Sequence, residues 1–262
     1  MNGKETSNSM YVGDGRISYY DLDMRGKLKL SALLRMVHIA ADANAASLGI
    51  GFADLSKLSM TFVLLRIGFK FIRMPVYNEL VTIRTWPSDI SKGTFLRQGD
   101  MYDSSGKKLI EWASLWILFD LNDRKILKPS KLPVEIPELA SQNVEVVPKK
   151  ITLPVDLAAP YSVHTHTVRY ADTDTNIHMN NSIYGDLVGN AVFPSAEEDG
   201  AVSEFNEVQI NYLSEAKFGV GIDVTATKHG DEIYVVGEAD TKRVFLFAAA
   251  YKSSTAPTHF CG

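Results

Sequence analysis

Residues 17–48 read ISYYDLDMRGKLKLSALLRMVHIAADANAASL, and the fold follows from the change of period inside this stretch. Residues 17–22 read as a strand. Residues 30–48 read as a helix, because Leu33, Leu34, Val37, Ala40, Ala41, Ala45 and Leu48 recur at helical spacing. Gly49 and Gly51 then close it. Strand-like runs follow at 62–71, 79–86, 94–102 and 109–120, the last two joined by the turn Asp103-Ser104-Ser105-Gly106. The order is a strand, one long helix, then several antiparallel strands.

Beyond this block, six of the ten prolines (Pro129, Pro133, Pro137, Pro148, Pro154 and Pro160) fall in a span without sustained period, the signature of a linker. The same order of elements then returns: a strand at 164–172, a helix at about 181–192, and strands at 207–213, 221–228, 232–240 and 244–252, with a turn at His229-Gly230-Asp231. The copies also match residue by residue. Asp21 and Asp23 align with Asp172 and Asp174, Ser31 with Ser182, and Val37 with Val188, all 151 positions apart. Phe69-Lys70-Phe71-Ile72 aligns with Ile210-Asn211-Tyr212-Leu213 at 141, so the connection after the second helix is shorter.

A long helix whose apolar face must be buried against a curled antiparallel sheet is the hot-dog arrangement, and two copies in one chain pair their sheets as two subunits would. The class is therefore α+β, a tandem double hot-dog, with copies at 1–128 and 161–262 and a proline-rich linker at 129–160. Such a chain already contains its own pseudo-dimer, so a monomer and a homodimer are both compatible with it.

Composition narrows the partners. The chain has 262 residues, is 45% hydrophobic and 22% charged, and has no long run of one sign, which excludes extended disorder. Its longest apolar stretches, near 113–119 and 244–250, fall short of the ~20 residues of a membrane span. The polar first residues lack the pattern of a secretory or transit leader, so the expected location is cytoplasmic. A lone Cys261 excludes an intrachain disulfide and a thiolate metal cluster, and no cofactor motif is present. Lys and Arg do not interleave with aromatics as in a nucleic-acid surface. Charge is unevenly shared: residues 1–150 carry net +5 and residues 151–262 net −9. That is either a docking field for an acidic partner or a set of scattered, solvated charges.

Chemistry concentrates in Arg169-Tyr170-Ala171-Asp172-Thr173-Asp174-Thr175-Asn176-Ile177-His178-Met179-Asn180-Asn181-Ser182-Ile183-Tyr184. Two carboxylates, three carboxamides and a histidine sit between a strand and a helix start. Asn180 or Asn181 can cap the helix, and Asp172 or Asp174 can form turns. The repeat supplies a control. The first copy has Arg25 for Asn176, Lys27 for His178, and Lys29-Leu30 for Asn180-Asn181, so folding alone does not demand the second set. His164 and His166 share a strand face but lack a third metal ligand, and His38 lies in an apolar helix as a core or pocket-lining residue.

The segment resembles the acyl-acyl-carrier-protein thioesterase family of bacteria and plant plastids, whose second hot-dog carries a pattern like Asp-x-Asn-x-His-x-Asn-Asn-x-x-Tyr. Here this is Asp174, Asn176, His178, Asn180, Asn181 and Tyr184, and a second family block appears as Asn211-Tyr212-Leu213-Ser214-Glu215-Ala216. First-copy stretches 17–34 and 112–128 also look like the family.

The resemblance implies hydrolysis of a fatty acyl thioester on acyl carrier protein. It also implies a catalytic set of Asp174, Asn176, His178 and Glu215, with Asn180, Asn181 and Tyr184 on the substrate. His178 is the favoured acid or base. Ala216 stands where relatives often carry a cysteine, so a cysteine nucleophile is excluded. The tryptophan many relatives have near the tyrosine is missing too. The first copy would supply an acyl tunnel from helix 33–48 with Phe62, Leu64, Ile67 and Phe69, and Arg25, Lys27, Lys29, Lys70 and Arg73 would meet the acidic carrier. A coenzyme A thioesterase, a hot-dog hydratase and a non-catalytic acyl-binding protein remain the alternatives.

Overall fold

A computed structural model describes residues 2–7, 9–137, 144–194 and 205–251. The first copy contains β1 (Asn2–Ser7), β2 (Met10–Arg16), helix α1 (Leu30–Ser47), the short α2 (Phe52–Ser56), β3 (Met60–Phe71), β4 (Leu80–Ser91), β5 (Thr94–Asp103), β6 (Lys108–Asp120) and β7 (Lys125–Leu127). The second contains β8 (Ser162–Thr167), α3 (Ile183–Val192), β9 (Phe205–Tyr212), β10 (Gly221–His229), β11 (Glu232–Ala239) and β12 (Lys242–Tyr251). The double hot-dog expected from the repeat is what forms: one continuous antiparallel sheet ordered β1-β2-β4-β5-β6-β3-β9-β12-β11-β10-β8, with β7 on β6.

The halves meet where β3 pairs with β9. Ile67 faces Ile210, Gly68 faces Gln209 and Phe69 faces Val208. With the 141-residue offset, Gly68 faces its own counterpart, so the pseudo-twofold axis of the chain passes through this pair. A side chain at Gly68 would sit 2.6 Å from Gln209 Nε2. A side chain there would push the Gln209 amide away from the backbone groups of Lys149 and Val147 that it holds.

Both helices pack on one face of the sheet. Along α1, Leu30, Leu33, Leu34, Val37 and Ala40 form the buried stripe, and Tyr184, Leu187, Val188 and Ala191 do the same on α3. Each large member of these stripes contributes about 1.5–3 kcal/mol on burial. Ile67, Phe69, Val208 and Ile210 belong to that core, and Leu64 is buried as well.

Three expectations need correction. The strands read at 17–22 and 164–172 end earlier, at Arg16 and Thr167, and each is followed by one 3-10 turn, Tyr19–Asp21 and Tyr170–Asp172. The cause is local: Asp21 and Asp172 each accept from a backbone N–H three residues back, Ser18 N at 2.8 Å and Arg169 N at 2.8 Å, which winds the chain into a turn. The last strand is described to Tyr251, and Lys252 lies outside the described residues.

The third correction concerns the proline-rich stretch, whose described end is a packed strap. Val144 and Val146 bury against Trp86 and Ala113, and Ile151 buries against Tyr234 and Leu246, on the sheet face opposite the helices. The strap crosses the seam, where side chains replace the missing ladder. Asn211 Oδ1 accepts from Ile151 N at 2.8 Å and its Nδ2 donates to Lys149 O at 2.9 Å, while Gln209 Oε1 accepts from Lys149 N at 3.1 Å. Asn211→Ala is expected to lower the unfolding free energy by about 2 kcal/mol, because two backbone groups lose their partners under cover. Denaturant titration reads this, and an unchanged midpoint would mean the apolar contacts alone hold the strap.

Candidate active site

The loops between β2 and α1 and between β8 and α3 are folded by the same device. In the first, Asp23 Oδ1 accepts from Arg25 N and Lys27 N, both at 2.9 Å, and Asp23 N donates to Lys27 O at 2.8 Å. In the second, Asp174 Oδ1 accepts from Asn176 N at 2.8 Å and Asp174 N donates to His178 O at 3.0 Å. Asp174 therefore has a folding role its counterpart shares.

The copies part at the residue before Lys27 and His178. Gly26 holds φ +69 without strain, but the second copy places Ile177 at φ +64. A β-branched residue in the left-handed region is a backbone outlier, and such strain collects at functional positions. Ile177 is also 72% exposed, so burial does not repay it.

His178 Nε2 lies 3.1 Å from Glu215 Oε2, which joins the loop to the segment after β9. Neighbouring backbone holds the register, since Met179 N donates to Ala216 O at 2.8 Å. The same Glu215 oxygen accepts from Arg124 Nη2 at 2.9 Å. Arg124 lies in the β6–β7 turn of the first copy with φ +50, and sequence reasoning missed it because it belongs to no motif and lies 91 residues away. Burial, then the nearby Asp174 and Glu215 charges, raise the Tyr184 hydroxyl well above its usual pKa.

Asn176 and Asn181 reach across the junction. With His38, Ala45, Phe62, Phe95, Arg97, Trp116 and others they line a cavity of about 260 Å³ in the first copy, between α1 and its sheet. Of the expected tunnel walls, α1 and Phe62 line this space, whereas Leu64, Ile67 and Phe69 are not among its lining residues. His178 and Glu215 are not lining residues either; the loop carrying Asn176 and Asn181 connects them to it.

Two expected substrate contacts serve the fold. Asn180 Oδ1 accepts from Ser182 N at 2.9 Å and Ser182 Oγ at 2.8 Å, fixing the entry to α3. Tyr184 is buried edge-on against Tyr212 and Phe245, with ring centroids at 5.1 and 5.2 Å. Neither lines the cavity. Tyr212 Oη donates to Asn181 O at 3.2 Å and so supports the loop from below.

Other candidates also resolve. His166 pairs with Asp172 at 2.9 Å, and among the described residues no group of three potential metal ligands occurs. Lys70 is ion-paired with Glu145, and Arg73 with Glu79 and Asp103. Cys261 lies outside the described residues. No described helix is long and apolar enough to cross a membrane.

Two helix-on-sheet copies sharing one sheet define a double hot-dog, with a polar loop of the second copy turned to a cavity of the first at their junction. The chain belongs to the acyl-ACP thioesterase family: residues 9–136 match the family's N-terminal domain and residues 157–247 its C-terminal domain. It is similar to the chloroplastic palmitoyl-acyl carrier protein thioesterase of Arabidopsis thaliana, 28% identical over 156 residues that cover 53% of this chain and 36% of that protein. It is also similar to the chloroplastic dodecanoyl-acyl-carrier-protein hydrolase of Cinnamomum camphora, 27% identical over 202 residues, 72% of this chain and 52% of the relative. The chain thus spans about half, or less, of the length of these curated relatives. An acyl-ACP thioesterase structure from Bacteroides thetaiotaomicron superposes with TM-score 0.77 at 21% identity, covering 94% of this chain and 98% of that one, a likeness of fold.

Two outcomes are expected from this geometry. Ile177→Gly should raise the unfolding free energy by about 1 kcal/mol, since relief of the left-handed strain exceeds the entropy cost of glycine; thermal unfolding measures it. The second concerns His38, whose burial lowers its pKa from 6.5 to about 4. The unfolded chain therefore takes up this proton first, and stability present above pH 6.5 is lost as pH falls toward 4, by about 1 kcal/mol per pH unit. His38→Phe should flatten that acid limb in denaturant titrations run across the interval.

Proposed function

We propose that this chain hydrolyses fatty acyl thioesters of acyl carrier protein, releasing the free fatty acid and the carrier thiol. The observation that carries this reading is the junction itself. A sheltered cavity in one copy receives Asn176 and Asn181 from the other, on the loop whose His178 is paired with Glu215 at 3.1 Å. An acyl chain needs the first, and water attack on its thioester needs the second.

In this reading His178 donates its Nε2 proton to Glu215 and uses Nδ1 as the base. Nδ1 takes a proton from water as the water oxygen bonds to the acyl carbon. The C–S bond then breaks, and the same proton goes to the departing thiolate. Arg124 and Glu215 position the imidazole, and Asn176 donates its amide to the carbonyl oxygen as negative charge develops there. Asp174 shapes the turn that aims both. A thioester already carries a good leaving group, so no further acid and no cofactor is required.

The carrier is acidic in this proposal, and the net +5 of residues 1–150 supports its approach from the first copy. The lack of any possible intrachain disulfide is in keeping with a cytoplasmic enzyme. It acts as a monomer or a homodimer.

Purified protein given medium- and long-chain acyl carrier esters should release thiol. His178→Ala should lose ~10²–10⁴ in kcat, the range of general base catalysis. Glu215→Gln should fall less, because it retains a hydrogen-bonding oxygen for the imidazole. Release from coenzyme A esters alone would replace the carrier as partner, and no release from either class would sink the reading.

A further inference from the structure

The cavity of the first copy is polar in two places where a plain fatty chain has nothing to offer. Arg97 borders it from β5. Its Nη1 donates to Asn44 Oδ1 on α1 at 2.7 Å and to Thr85 Oγ1 at 3.3 Å, and no carboxylate among the described residues pairs with it. Arg97 is half-buried, and this burial lowers its pKa to about 10. His38 borders the same cavity from α1. Its Nε2 is sealed from solvent and has no hydrogen-bond partner. Its ring stands edge-on to Trp116, centroids 6.0 Å apart.

We propose that the acyl chain held in this cavity is oxygenated, a hydroxy- or oxo-acyl group whose oxygen is bound at one of two stations, Arg97 or His38. The inference rests on the thioesterase reading of the same site and adds the class of substrate.

A purely structural tie between α1 and β5 does not explain Arg97. Its partners Asn44 and Thr85 are neutral, so a neutral donor would hold Asn44 without the cost of partly burying a charge that no described carboxylate pairs. A saturated chain entering the cavity would strip water from the remaining guanidinium donors and return nothing. A hydroxyl or ketone oxygen accepts from them. Neutral His38 serves either form, as a donor to a ketone or as either partner to a hydroxyl, according to its tautomer. Asp42 and Asp89 border the same cavity, and their charges disfavour a chain ending in a carboxylate, so the oxygen is a neutral one.

The two stations also differ in position. Asn44, which Arg97 grips, lies six residues beyond His38 on α1, about 9 Å further along the axis at 1.5 Å per residue. Oxygen near the thioester and oxygen near the chain end are therefore separate arms of the test.

The experiment compares kcat/KM for medium-chain carrier esters that are plain, β-hydroxy, β-oxo and ω-hydroxy. At least one oxygenated ester should exceed the plain ester of equal length by roughly tenfold or more, as expected where buried donors must be satisfied. The variant at the station that holds the oxygen, Arg97→Met or His38→Phe, should lower that ratio toward one, a change that a mere loss of stability would not produce. Arg97→Gln, which can still donate to Asn44, covers the case in which the methionine variant does not fold.

Calorimetric binding of the matching free acids to the His178→Ala variant reads the same preference without turnover. Selective binding of the oxygenated acid with no hydrolysis by the wild type would keep this inference and sink the hydrolase reading. Hydrolysis that favours plain esters, with a ratio the variants leave unmoved, would overturn the inference and leave the hydrolase reading intact.

Discussion

The antiparallel pairing of β3 with β9 is the interaction on which the rest depends. It converts two hot-dog sheets into one and places the pseudo-twofold axis on the pair Gly68 and Gln209. Everything at the junction inherits its position from that register. A slip of one residue in β9 would turn Val208 and Ile210 out of the core. It would also carry Gln209 and Asn211 away from the strap they tether. The strap and the seam thus stabilise each other: the side chains that satisfy the strap backbone belong to the strand that closes the sheet.

Fusion of the copies frees them to differ. In a symmetric dimer both junction loops would carry the same residues and both cavities the same walls. Here the two loops share their turn-forming aspartates and their hydrogen-bond pattern, yet one holds Gly26 and Lys27 where the other holds Ile177 and His178. The relaxed version shows that the chain can make this turn without strain. The strained version coincides with the histidine that reaches Glu215. Arg124, supplied by the first copy to a glutamate of the second, belongs to the same asymmetric arrangement.

The long helix, the strand-rich remainder and the duplication were legible in the sequence because each rests on a period: 3.6 for residues 30–48, two for the strands, 151 and 141 for the repeat. The pair His178 and Glu215 was legible through the motifs around it. What escaped was set by contacts with no period. Asp21 and Asp172 turn what reads as a strand end into a 3-10 turn by bonding a backbone N–H three residues back. The strap reads as a linker because its order comes from the side chains of Gln209 and Asn211, not from its own pattern. Arg124 stood in an ordinary turn. Asn180 and Tyr184 sit inside the same motif, and their neighbours in space, Ser182 and the rings of Tyr212 and Phe245, give them a part in the fold that the motif does not reveal.

The division of labour between the copies also has a cause in helix length. α1 runs to Ser47, whereas α3 stops at Val192, the counterpart of Ala41. The last turns of α1 carry Asp42, Asn44 and Ala45, which form or brace the wall of the first-copy cavity. A helix ending at the position of Ala41 cannot present that wall. The second cavity at the junction is lined instead by Gly185, Asp186, Gly189 and Asn190 of α3 together with Asp23, Arg25 and Lys29 of the first-copy loop. It is the pseudo-symmetric partner of the first in position but not in chemistry: charged on its loop side where the other has asparagines, and faced by glycine where the other has His38. Shortening one helix and rewriting one loop therefore suffice to give the two cavities different walls, with the loop that carries His178 turned to the first.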